Sequence, residues 1–75
     1  MVYDLKMTPE EYAAALAKWG LRHKGAAEFF GYDDITSMRY ATGKRKVPAP
    51  LAKLIRLMLA LKLDPAKVTE WLEDR

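Results

Sequence analysis

Two clusters of cations bracket the middle of this 75-residue chain: Arg22, His23 and Lys24, then Lys44, Arg45 and Lys46. Side chains of these types bond phosphate oxygens, and such contacts hold a nucleic acid in register without reading its sequence. Between the clusters lie Ile35, Thr36, Ser37 and Arg39, a mixture of apolar, hydroxyl and guanidinium side chains. The fork of Arg39 matches guanine O6 and N7 together, and Thr36 can offer a hydroxyl to a base or its methyl to thymine. Ile35 fits a thymine methyl as well as it fits a protein core. Arg39 can alternatively be solvated or pair with Glu28. The cluster at 44–46 can also stabilise the carboxyl end of a preceding helix; phosphate binding is the reading preferred.

Other chemistries are poorly supplied. The chain has no cysteine and one histidine, His23, so neither a disulfide framework nor a Cys/His metal site is expected. No nucleophile, base and orienting group are arranged together, and Glu10-Glu11 is explained by helix capping. No enzyme, no cofactor, no metal and no small-molecule ligand are expected.

The charge is unevenly spread. Residues 18–62 hold ten Lys or Arg against Glu28, Asp33 and Asp34, while the flanks are acidic, giving +3 for the whole. A basic centre with acidic ends points to a polyanion contacted by one face. The longest apolar-rich stretch, Leu51 to Leu63, contains Lys53, Arg56 and Lys62; it is too short and too charged to span a bilayer. The amino-terminal MVYDLKMTPEE is polar and acidic where a signal peptide needs an apolar run. A soluble, cytoplasmic, single-domain protein (residues 1–75) is expected.

The elements that must position these residues read as five short helices. Residues 1–7 form an arm, with Val2, Tyr3 and Leu5 able to pack onto the domain. Thr8, Pro9 and Glu11 supply an N-cap, a first helical residue and a capping box, so the first helix runs from Pro9 to Trp19 and stops at Gly20. Its apolar face holds Tyr12, Leu16 and Trp19, and core packing is expected for Tyr12, Trp19 and Trp71. The second helix begins near Arg22 or His23 and ends at Phe30, with Ala26, Ala27, Phe29 and Phe30 inward. Gly31 turns the chain, Asp33 or Asp34 caps the next helix, and that third helix covers Asp34 to Thr42 before Gly43. The fourth runs from about Ala49 to Leu61 and has apolar residues on more than one side, which indicates a helix buried on two faces. Asp64-Pro65 starts a fifth that ends near Glu73.

With Gly31 at a turn, the chain resembles the helix-turn-helix domain of Cro and phage-repressor-type transcription regulators. Ala27 stands four residues before Gly31, Tyr40 nine after it, and Gly43-Lys44-Arg45-Lys46-Val47-Pro48 looks like the family's exit into the next helix. The match covers Leu21 to Pro48, with weaker support from the flanking helices. Two positions depart from the pattern. Arg22 stands where a capping Ser or Thr is usual, and Ser37 stands where the family places Val or Ile in its core. Either Ser37 keeps that position, or the third helix starts a residue late behind Asp34 and Met38 turns inward.

The resemblance implies a compact all-α, lambda-repressor-like DNA-binding domain, with the helix-turn-helix at about residues 22–43. It implies a sequence-specific, double-stranded DNA-binding regulator, a repressor in type, whose third helix enters the major groove with Ile35, Thr36, Ser37 and Arg39 available to base edges. Helices at 49–75 carry more Leu and Met than one small core requires, and a homodimer through Leu57, Met58, Leu61 and Trp71 is expected. The alternative is a protein-interaction module, an antitoxin-like partner, working through those same apolar faces.

Overall fold

The computed structural model describes residues 6–73; the arm residues Val2, Tyr3 and Leu5 lie outside them. Five helices follow in order: α1 (Pro9–Trp19), α2 (His23–Phe30), α3 (Asp34–Thr42), α4 (Ala49–Ala60) and α5 (Pro65–Glu73). The described residues are helical and connecting, with no strand among them.

Each helix is bounded by local chemistry. In α1 the Thr8 hydroxyl accepts from the Glu11 amide at 3.1 Å while Glu11 accepts from the Thr8 amide at 3.2 Å, so two orphan donors are met at once. Asp33 caps α3 through the Thr36 amide at 2.7 Å, and Asp64 does the same for α5 through Lys67 at 2.7 Å. Gly20, Gly31 and Gly43 end α1, α2 and α3 with φ of 69°, 92° and 81°. In the last of these the backbone is doubly committed. A Cβ on Gly43 would lie 3.1 Å from Pro9 Cγ, so a side chain there meets both a left-handed φ and the start of α1. Gly43→Ala is expected to cost about 1–3 kcal/mol, read as a lowered midpoint in urea, against a smaller loss for Gly31→Ala, whose site is open.

The core gathers residues from α1 to α4. Tyr12, Ala26, Ala52 and Ile55 are fully buried and are joined by Met7, Ala15, Leu16 and Tyr40. A run of rings ties the α2–α3 turn to α1: Trp19 to Phe30 at 6.3 Å, Phe30 to Tyr32 at 6.0 Å, Tyr32 to Tyr40 at 5.4 Å, Tyr40 to Tyr12 at 5.5 Å. Such pairs contribute about 0.5–1.5 kcal/mol each beyond their area. They fix α3 against α1 and α2, which are the elements α3 packs on most.

Three expectations for the carboxyl-terminal helices are corrected. Met58 is 1% exposed; it projects inward and is not available to a partner. The fourth helix does not bury two faces in this chain, because Leu54, Leu57 and Leu61 remain exposed on its outer side. Leu51, Leu54, Leu57, Met58 and Leu59 spread over more than half of this helix's circumference, so periodicity alone could not rank Met58 against Leu57. Trp71 is likewise exposed and is not a core residue.

Candidate nucleic-acid interface

The geometry of α3 decides which of its residues face outward. Ile35 is 56% and Met38 50% exposed, and Asp34, Arg39 and Thr42 are exposed beside them. At about 100° per residue these five share one side of the helix. Ser37, Tyr40 and Ala41 share the other.

Ser37 is therefore a correction. It is 0% exposed and cannot reach a base. It stays where the resemblance wants an apolar core residue, and Met38 does not turn inward. The register question closes the same way: Asp33 is the cap and α3 starts at Asp34.

A buried serine needs partners, and this one sits at the centre of a chain of hydrogen bonds. The Ser37 Oγ lies 2.7 Å from His23 Nδ1 and 2.7 Å from the Tyr12 hydroxyl, which is 2.7 Å from the Tyr32 hydroxyl. The direction of the chain depends on the His23 tautomer. If Nδ1 accepts, Ser37 donates to His23, Tyr12 to Ser37 and Tyr32 to Tyr12, so every hydroxyl proton in the chain is used. If Nδ1 donates, the sense reverses and the Tyr32 proton must find another acceptor. Burial, then its bond with Tyr12, raises the Tyr32 pKa well above the ordinary phenol range, so its proton stays in place to be donated. These four side chains link α1, the start of α2, the turn and α3. His23 is thus half-buried and engaged, unlike the rest of its cluster.

The remaining cations are open. Arg22, Lys24, Lys44, Arg45 and Lys46 are exposed, and none of their side chains takes part in a salt bridge among the described residues. The amino terminus of α2 has no side-chain cap and no acid in its first turn. Its first backbone bond within the turn is Ala26 to the Arg22 carbonyl at 2.9 Å, which leaves the amides of His23, Lys24 and Gly25 pointing out of the helix end. On the far side of α3 the Arg45 amide bonds the Arg39 carbonyl at 3.2 Å, folding the basic loop back on the helix. The Arg39 guanidinium makes no ion pair with Glu28. Its charge, with that of Arg45, reaches Asp33.

Thr36 is only half-exposed and its amide is spent on the Asp33 cap. The Thr42 hydroxyl is turned back onto the Met38 carbonyl at 2.9 Å. Asp33 is held below its ordinary carboxyl range by hydrogen bonding to Thr36, then by attraction to Arg39 and Arg45. Glu11 is lowered by its bond to the Thr8 amide, then by the nearby Arg56, whose Nη2 lies 2.8 Å away.

The sign of the pH effect follows. Both carboxyls release protons more readily folded than unfolded, so their stabilisation is complete above ordinary carboxylate pKa values. It is lost as pH falls through the lowered folded values. Acidification below about pH 4 should therefore lower the thermal midpoint. In a Glu11→Gln, Asp33→Asn double variant that part of the slope should be absent in melts followed by circular dichroism.

No group of three or more His, Cys, Asp or Glu among the described residues can hold a metal ion, and no helix among them is long and apolar enough to cross a membrane. Comparison with protein-family models, curated proteins and solved structures found no match in any of the three.

Proposed function

We propose that this chain is a sequence-specific, double-stranded DNA-binding regulator of repressor type, with α2, the turn at Gly31 and α3 acting as a helix-turn-helix. The observation that carries the reading is Arg39, an exposed guanidinium on the outer face of α3 that forms no ion pair among the described residues, with open cations before α2 and after α3. Ile35 and Thr36 complete the base-facing set, Thr36 at its edge. Arg22, Lys24, Lys44, Arg45 and Lys46 serve the phosphates, and the open amides at the start of α2 suit a phosphate oxygen. Where Nδ1 of His23 accepts from Ser37, its Nε2–H is a further donor for the same backbone. Asp34 is exposed on the base-facing side, where it repels phosphate and can accept from a cytosine amine.

A second reading is favoured by the exposed Leu57, Leu61 and Trp71. These suit a partner surface, either a second copy in a DNA-binding homodimer or a different protein held by an antitoxin-like module. A cytoplasmic setting fits both.

Selection from a random duplex pool separates them. The DNA reading expects an enriched motif containing guanine, arranged as two half-sites if the protein is a dimer. An unenriched pool would leave only the interaction module. Sedimentation at micromolar concentration then tests the copy number, and a clean 8.6 kDa species would remove the homodimer.

A further inference from the structure

The outer face of α3 is not simply polar. Ile35 and Met38, three residues apart and each at least half exposed, form an apolar pair with Arg39 alongside. Nothing in the described chain covers them. A helix surface that is apolar at its centre and cationic at its borders is complementary to a partner that is anionic outside and carries apolar groups within. The major groove is such a partner, since its phosphates frame the C5 methyl groups of thymine.

We propose that Met38 and Ile35 read thymine methyls beside a guanine held by Arg39. Met38 is the residue that the inward placement of Ser37 turns out to solvent. Its flexible thioether suits a methyl whose position varies with groove geometry. Ile35 and Arg39 are one helical turn apart, about 6 Å along the axis, which is about two base-pair steps. The guanine and the thymines therefore fall within about two base pairs of each other. This inference rests on the DNA reading above.

The test replaces thymines of the selected duplex, one at a time, with deoxyuridine, which lacks only the methyl. Binding is measured by fluorescence anisotropy for the native chain, Met38→Ala and Ile35→Ala. One or two substitutions near the conserved guanine should weaken the native chain about fourfold each, the effect of one buried methyl. The loss at one position should vanish in Met38→Ala, and at the other in Ile35→Ala. Circular dichroism checks that both variants fold, which their exposure makes expected. If the duplex is bound with sequence preference but deoxyuridine is tolerated throughout, or costs the variants as much as the native chain, methyl reading is wrong while DNA binding stands. If no duplex is selected at all, both fall together.

Discussion

Arg39→Ala should weaken binding to the selected duplex by about 10- to 100-fold and flatten the preference at one guanine, the worth of a lost bidentate contact. Folding should survive. The side chain is exposed and is attracted to Asp33 without forming an ion pair among the described residues, so a stability change within about 0.5 kcal/mol is expected. Arg39→Lys gives a finer result. Lysine keeps the charge but lacks the planar fork, so the salt dependence should be unchanged while guanine discrimination falls. A uniform loss across all sequences would instead place Arg39 on the phosphates.

Tyr12→Ala should have the largest effect on stability. The ring is fully buried, meets Tyr40 edge-on at 5.5 Å, and its hydroxyl stands between Ser37 and Tyr32. Truncating a buried aromatic of this size costs about 3–5 kcal/mol. A domain of this length has only about 4–11 kcal/mol in total, so Tyr12→Ala should lose a large share of it and melt well below the native chain. Tyr12→Phe separates the two contributions, because it keeps the ring and removes the bonds. Ser37 would retain His23, Tyr32 would lose its partner, and a cost of about 1–3 kcal/mol is expected. Denaturant melts of the pair measure both. A Tyr12→Phe variant as stable as the native chain would mean that the hydrogen-bond chain adds nothing to the core.

Helix positions were legible because punctuation is local. The Thr8–Glu11 box, the glycines at 20, 31 and 43, and the prolines at 50 and 65 each act within a few residues, and all five helices fall where they imply. Ser37 was not legible for the opposite reason. Its partners Tyr12 and His23 lie 25 and 14 residues away, and polarity argues for the surface unless those partners are known. A signal was present: Ser37 precedes Tyr40 and Ala41 by three and four residues, which puts it on their side of the helix. Helical position was the better guide than polarity, and it sends Met38 outward. In α4 that guide was blurred, because Leu54, Leu57 and Leu61 extend the apolar surface well beyond the buried side that holds Met58. The basic clusters were legible as charge, but not the engagement of His23 with Ser37.

Salt dependence on the selected duplex tests the central claim most directly. If Arg22, Lys24, Lys44, Arg45 and Lys46 each neutralise one phosphate, log Kobs should fall against log salt with a slope of about −4.5. Replacing Lys44, Arg45 and Lys46 with glutamine should make that slope shallower by about 2.7 units, without changing which sequence is preferred. A binding constant that does not change with salt, or a slope untouched by the triple replacement, would contradict the assignment of this surface to DNA.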